Sequence, residues 1–587
     1  MLAGLTAAAL LTGSPPVLAA VDPLVLQAEA QRAEVIARIM PPTVAIFAAD
    51  GGNGGSGVLI RPDGLTVTNF HVVSELGPFM KCGLNDGRIY DAVLTGIDPT
   101  GDVALIRLLG RDDFPVAEFG DSDTLAPGDW VYVVGNPFLL ATDFQPTVTY
   151  GIVSGTHRYQ YPAGTILEYT DCVQVDASIN PGNSGGPLFD SAGRLVGING
   201  RASFEKRGRV NSGAGYAISI NQVLNFLDHL GSGRIVDHAT LGATVRSETD
   251  GSVVVDSILE QSDAYRRGLR RGDELVSFAG RPIRSVNQFK NLLGIYPKGW
   301  MRPLVYRREG EKHEIQVALR GLHRASELRL DELRLSPEEP PAPERPGQPQ
   351  DPEGPQVPDS DGPHPLPQLP GHLFGPAEPD IPEGYVHLYE EREGFANYAV
   401  NVLHQQRLLA RLSPPGTFSA GTWKIAGRTS AGEEYLIQLH DGAAALTLAD
   451  DQYFQALKED FTDQPPESGG LLAAFVHWRM MLLAPLERFT EFYYLGSEPL
   501  DGTGDRVDVL VGTRGTSTSR WYFRPADAAL LGFDTEIEPD VDPCRIRFLE
   551  WGEFDGRPFV RRFSVHRGPD LLGEFQIESC EITSGDP

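Results

Sequence analysis

The sequence predicts a mainly β protein of several domains, and three observations carry that prediction. From Thr43 to about Asn221, short β-branched runs punctuated by glycine recur, among them Gly57-Val58-Leu59-Ile60, Trp130-Val131-Tyr132-Val133-Val134 and the stretch from Thr147 to Ser154. Many short strands with turns between them argue for all-β barrels. A proline-rich stretch, 336–382, interrupts the chain with almost nothing from which to build a core and reads as a disordered linker. Beyond it, from Gly384, alternating strand-like runs return behind a helical stretch. At 587 residues, 41% of them hydrophobic, the chain exceeds one core and has material for three or four domains.

Taken in order, residues 1–20 combine an apolar run with small residues around Ala19 and Ala20, the pattern of a secretory signal peptide. The usual positive start is missing, which leaves open a late start codon, a short apolar anchor or a plain tail. Residues 21–42 form an N-terminal helix segment, with apolar residues at helical spacing from Pro23 to Met40 and a stop at Pro41-Pro42. The strand-rich region 43–230 closes on a short helix, Asn221 to Leu230. A second module spans 238–322, and the chain from 384 to 587 forms a C-terminal antiparallel β-rich domain. In that last domain Asp555-Gly556 between two alternating runs is a hairpin signal, and the alternation implies a sheet with one wet face curved around a helix. Leu471 to Leu483, with Trp478, Met480 and Met481, reads as a core helix in preference to the lip of an apolar pocket.

Composition excludes some functions. With 79 acidic against 50 basic residues, a net charge of -29, nucleic acid is a poor partner. Past the N-terminus no apolar run approaches the roughly 18 to 20 residues needed to span a bilayer. The four cysteines are Cys82, Cys172, Cys544 and Cys580. Cys544 and Cys580 fall in one domain and could pair in an oxidising compartment; four free buried thiols are an equal alternative. No Cys-x-x-Cys, His-Glu-x-x-His or ATP-binding Gly-Lys-Ser/Thr loop occurs, so neither a metal nor a cofactor is expected.

The chemistry concentrates at three places. Ser184 sits in Asn180-Pro181-Gly182-Asn183-Ser184-Gly185-Gly186-Pro187-Leu188, where flanking glycines let backbone amides converge on whatever the serine attacks. His71 ends the run from Leu65, and Asp102 directly precedes a buried-looking strand, Val103 to Leu108. An aliphatic hydroxyl needs a neutral imidazole to take its proton and a carboxylate to hold that imidazole in the right tautomer. Singly, a core histidine, a strand cap and a plain turn explain these residues equally well. Their joint occurrence favours a His71, Asp102, Ser184 triad.

Thr68-Asn69-Phe70-His71-Val72, Gly101-Asp102-Val103-Ala104-Leu105 and Gly182-Asn183-Ser184-Gly185-Gly186-Pro187 together resemble the HtrA (Deg) family of serine proteases. The resemblance implies a trypsin-like double β-barrel with the triad between the barrels, and an oxyanion hole from the N–H groups of Gly182 and Ser184. Asn183 cannot supply the charge that digestive relatives use for N-terminal activation. Ser178, six residues before the nucleophile, with Ile179 beside it, implies small or medium apolar side chains in the S1 pocket. Residues 238–322 resemble a PDZ domain, with Leu241, Gly242 and Ala243 where a carboxylate-binding loop belongs. The C-terminal domain resembles LolA-like lipoprotein carriers in its order of sheet and helix.

The expected function is thus an ATP-independent serine endopeptidase acting on unfolded or damaged exported proteins in the periplasm. Peptide C-termini would bind at the PDZ domain, and the resemblance implies a homotrimer. The alternatives are a chaperone or adaptor, or an envelope lipid or lipoprotein binding protein that uses the protease fold as scaffold. The linker is expected to act as a spacer of about 100 Å.

Overall fold

The computed structural model describes residues 21–48, 54–136, 143–160, 166–204, 211–330, 383–412, 417–458, 460–539 and 541–584. The expected signal peptide, 1–20, and linker, 336–382, lie outside the described residues. Helix α1 (Pro23–Ile39) starts where Asp22 Oδ1 accepts the Leu24 amide at 2.8 Å, with proline in its first turn, where no N–H is lost from the helix ladder. It buries only Ile39, and Leu24, Val25 and Leu26 are exposed. Among the described residues no helix is long and apolar enough to cross a membrane.

Two closed six-stranded barrels follow. The first joins β1 (Thr43–Phe47), β2 (Gly54–Leu59), β3 (Leu65–Thr68), β4 (Phe79–Gly83), β5 (Ile89–Asp98) and β6 (Val103–Leu108) in the order β1-β2-β3-β6-β5-β4. The second joins β7 (Trp130–Gly135), β8 (Thr147–Gln160), β9 (Tyr169–Val175), β10 (Pro187–Asp190), β11 (Leu195–Phe204) and β12 (Asn211–Ser219) in the order β10-β11-β12-β9-β8-β7. Closure suits these sequences because β-branched residues such as Val44, Ile46, Val131 and Val133 fill the two interiors and no strand edge is left unpaired. A one-turn helix, α2 (Phe70–Val73), interrupts the chain after β3, and α3 (Ile220–Gly231) leaves the second barrel with its apolar face on both barrels' cores.

The next module is an antiparallel sheet in the order Ala243–Ser247, Val253–Ile258, Glu274–Phe278, Met301–Arg308, Glu311–Ala318, with helices α4 (Asp263–Arg266) and α5 (Val286–Gly294). Helix α5 docks on β8 and β9 of the second barrel. Asn291 Nδ2 donates to the His157 carbonyl at 2.6 Å, and Asn291 Oδ1 accepts the Asp171 amide at 3.0 Å.

The C-terminal unit is an eleven-stranded antiparallel sheet running from the edge strand Asp451–Ala456 to the edge strand Glu491–Pro499. Its hairpin turn is Asp555-Gly556, both with positive φ, as a tight two-residue turn demands. Helix α6 (Tyr398–Leu412) precedes the sheet, and α7 (Leu471–Leu483) lies in its hollow with Leu471 to Met481 buried on every side. A helix apolar all round belongs inside a core. Trp478 stacks on Phe559 at 4.8 Å with planes 8° apart, and also meets Phe563 and Phe548. Trp478→Ala is therefore expected to cost about 3 to 5 kcal/mol. A fall in the urea midpoint of the full chain, followed by circular dichroism, checks this; an unchanged midpoint would remove α7 from the core.

Two expectations need correction. Cys544 and Cys580 are both free and buried. Cys544 lies level with Arg567, which pairs with Asp570, whereas Cys580 is ten residues further along the strand Asp570–Ser584. At about 3.3 Å per residue that places them some 30 Å apart, far beyond disulfide reach. Nor does the proline-rich segment hold its flanking units apart. Asn397 Nδ2 donates to the Leu94 carbonyl of the first barrel and Asn401 Nδ2 to the Ser232 carbonyl after α3, both side chains fully buried. Arg506 reaches the Leu224 carbonyl and Asp228 of α3, and Arg267, which follows α4, pairs with Asp542. The C-terminal unit thus packs on both the barrels and the second module.

Candidate active site

The two barrels meet through β2. Ser56 donates its amide to the Ser184 carbonyl at 2.9 Å and its hydroxyl to the Gly182 carbonyl at 2.6 Å, while its Oγ accepts the Asn136 amide at 2.8 Å. Approach is this close because Gly55 has no side chain: a Cβ there would lie 2.9 Å from the Ser184 carbonyl oxygen and 2.7 Å from Val72. Ser184 and the helix bearing His71 therefore share one glycine contact.

His71 stands in α2, immediately after β3, and is 46% exposed, as a residue facing a cleft would be. Its Nδ1 lies 2.8 Å from Asp102 Oδ2, and its backbone amide donates to Asp102 Oδ1 at 3.0 Å. Asp102 is wholly buried and adopts φ of +57°, a conformation that an aspartate tolerates better than most residues. Asn69 Nδ2 holds its carbonyl at 2.8 Å. The loop ahead of it is built on Asp98, whose Oδ1 accepts the amides of Thr100 and Gly101 and whose Oδ2 lies 2.8 Å from His238 Nε2. Burial alone would lower the His238 pKa, but the carboxylates of Asp98 and Asp237 and the Gly294 carbonyl outweigh it and hold it above the ordinary value. This support, reached from the chain between barrels and second module, carries no local signal in the sequence.

Ser184 Oγ donates to the Gly200 carbonyl at 3.2 Å. Around it the amides divide cleanly: Asn183 N–H donates to Asn180, Gly185 N–H to Asn199 and Gly186 N–H to Asn183. Among the described residues, the amides of Gly182 and Ser184 have no acceptor. Gly182 has φ of +99°, which a side chain at that position would oppose. Cys172 is the buried thiol near Asp102; burial, then Asp171 and Asp102, push its pKa well up, so it stays an inert thiol.

Of the two expected pocket residues, Ser178 is exposed and its carbonyl accepts Thr149 Oγ1 at 3.1 Å. Ile179 is a correction: it is 1% exposed and packs into the second barrel's core beside Gly215, so it offers no surface to a ligand. In the second module Leu241 is buried in the core, Gly242 donates its amide to Thr240 Oγ1 at 3.2 Å, and Ala243 opens the edge strand opposite Ile258. Among the described residues Asp123, His157 and Asp171 have the spacing of metal ligands. Arg281 of the second module pairs with Asp123 and lies 3.9 Å from Asp171, so a guanidinium already supplies the positive charge there. The hydrogen bond that His157 Nδ1 gives to the Asp171 carboxylate raises the His157 pKa above its ordinary value.

Comparison with known proteins agrees with this geometry. Residues 55–198 match the model of the trypsin-like peptidase domain. The chain is 34% identical over 277 residues to a probable periplasmic serine endoprotease DegP-like of Chlamydia trachomatis, covering 45% of this chain and 53% of that protein. To the periplasmic serine endoprotease DegP of Escherichia coli K12 it is 35% identical over 291 residues, covering 46% and 59%. The chain thus spans about half the length of the curated relatives it matches. Among solved structures, the HtrA-type protease AlgW with tripeptide is 30% identical, with 49% of this chain and 96% of that chain covered and a TM-score of 0.41. The motifs around His71, Asp102 and Ser184 and the paired barrels agree with these matches: residues 55–198 are a trypsin-like peptidase domain, and the half of the chain that carries it is similar to DegP-like serine endoproteases of the HtrA/Deg family.

Proposed function

We propose that this chain is an ATP-independent serine endopeptidase, exported to the periplasm, that cleaves unfolded or damaged proteins. One observation carries the reading: a buried carboxylate orients His71, while the amides of Gly182 and Ser184 have no acceptor among the described residues. In the reaction Ser184 Oγ leaves the Gly200 carbonyl and gives its proton to His71 Nε2 as it attacks the scissile carbonyl. Asp102 holds Nδ1–H and stabilises the imidazolium that forms. The two amides receive the oxyanion, each worth about 2.7 to 4 kcal/mol in the transition state. His71 then returns the proton to the leaving amine. Ser178 sets an uncharged floor for a small or medium apolar side chain.

Residues 238–322 act in this reading as a PDZ domain that binds peptide C-termini along the edge strand Ala243–Ser247, with the Gly242 amide exchanging Thr240 for a carboxylate. Names of solved relatives with bound peptides support a peptide partner. Assembly as a homotrimer rests on family resemblance, and the periplasmic location on the names of the relatives and the N-terminal signal pattern.

The test is incubation of the full chain with fluorophore-labelled casein, an unfolded protein, without ATP, beside Ser184→Ala. Fragments with the wild type and none with Ser184→Ala are expected. Equal cleavage by both, or none by a correctly folded wild type with a PDZ-binding peptide added, would overturn the reading.

A further inference from the structure

The carboxylate of Asp102 has a third donor that neither the motifs nor the triad chemistry require. Tyr169, the first residue of β9, is 3% exposed and donates its phenol to Asp102 Oδ2 at 2.5 Å. That oxygen also faces His71 Nδ1, and Oδ1 accepts the His71 amide. The phenol reaches it across Gly200. A Cβ on Gly200 would stand 2.7 Å from Tyr169 Cε1 and 2.9 Å from its hydroxyl, distances at which the ring would have to shift. The same glycine's carbonyl accepts Ser184 Oγ. A single backbone residue of β11 thus separates the phenol that meets Asp102 from the nucleophile.

From this geometry we infer that Tyr169 is a positioning residue for the Asp102 and His71 pair, admitted by the absence of a side chain at Gly200; the inference rests on the endopeptidase reading above. A buried carboxylate needs donors for its lone pairs, and each donor favours its charged form. Two donors on Oδ2 and one on Oδ1 leave the carboxylate no freedom to rotate, so the imidazole it holds keeps one tautomer and one orientation. The phenol also draws charge from the oxygen that faces Nδ1. Without it, Asp102 becomes a stronger acceptor, the imidazolium is favoured and His71 binds its proton at higher pH. The neutral imidazole that must take the Ser184 proton is then scarcer at a given pH, and the carboxylate that orients it is looser.

The experiment pairs kinetics with a titration that does not depend on turnover. With labelled casein as substrate, Tyr169→Phe, which keeps the ring and removes only the hydroxyl, is expected to lower kcat by about 10- to 100-fold, the range of a hydrogen bond to a charged group, with KM within about twofold. The acid limb of kcat/KM should move to higher pH. Gly200→Ala should act in the same direction, and the double variant should be little worse than the worse single one, because both changes remove one contact. In the Ser184→Ala background, nuclear magnetic resonance should show the His71 titration moving up with Tyr169→Phe. Unchanged kcat and unchanged His71 titration would overturn the inference while leaving the endopeptidase reading intact. A shifted titration in a protein that cleaves nothing would uphold the positioning role and overturn the endopeptidase reading.

Discussion

Asp102→Asn is expected to leave both barrels folded and to lower kcat on an unfolded protein by about 10⁴-fold, with KM little changed, as loss of the imidazole tautomer does in trypsin-fold enzymes. The carboxylate accepts from the His71 amide, His71 Nδ1 and the Tyr169 hydroxyl. An asparagine has one acceptor oxygen and turns two N–H donors toward the same three donors. Whichever way it faces, one side meets N–H with N–H, or N–H with the phenol. The cheapest relief is for His71 to give up the proton at Nδ1 and carry it on Nε2, the nitrogen that must accept from Ser184. Comparison of kcat and KM for the two proteins, with near-ultraviolet circular dichroism as a check on folding, measures this. Retention of a tenth or more of wild-type kcat would mean that Asp102 serves the loop and not the chemistry.

Acid should destabilise the folded chain well before its carboxylates titrate. His229 and His477 are buried, and burial followed by neighbouring arginines lowers their pKa to about 3; for His477 the neighbour is Arg514, for His229 it is Arg234, Arg520 and Arg506. His404 is lowered to about 4 by burial and Arg407, with Asp508 opposing. In the unfolded chain each would titrate near about 6.5. Between those values the unfolded state binds protons that the native state does not, so stability falls as pH drops below about 6.5 and goes on falling to about 3 or 4. Each histidine costs about 1.4 kcal/mol per pH unit over that window, so at pH 5 the three together amount to about 6 kcal/mol as an upper figure. His238 works in the opposite sense: its raised pKa contributes stability that is full below about 6.5 and is lost as pH rises through its folded value. Urea midpoints at pH 7 and pH 5 measure the balance. His477→Asn should flatten the slope by about a third, and equal midpoints for the wild type at the two pH values would refute the account.

Burial of His477 illustrates what was readable and what was not. A helix apolar on every side, Leu471 to Leu483, announces itself as core from composition, and His477 and Arg479 look like breaks in it. Their partners come from elsewhere: Ser517 and Ser519 for the imidazole, Asp441 and the Gly421 carbonyl for the guanidinium. Similarly, the motifs around His71, Asp102 and Ser184 were legible as motifs because each is a short local pattern of glycines and strand ends. The hairpin at Asp555-Gly556 was legible for the same reason, since the two residues that make the turn are its whole signal.

What the sequence by itself determined, then, is everything that a few neighbouring residues encode: two barrels' worth of short strands, the three motifs, the core helix and the antiparallel alternation near the C-terminus. Only the tertiary structure decided which distant groups complete them. It set Tyr169 over Gly200 on Asp102, paired Asp98 with His238, and joined Ser56 of the first barrel to the Ser184 loop. It also separated Cys544 from Cys580 through strand register, turned Ile179 inward, and packed the C-terminal sheet on α3 and α4 despite the proline-rich stretch between them. These outcomes depend on register and on packing between segments up to hundreds of residues apart. Spacing along the chain does not encode which of many equally polar or apolar residues will meet once barrels close and sheets dock.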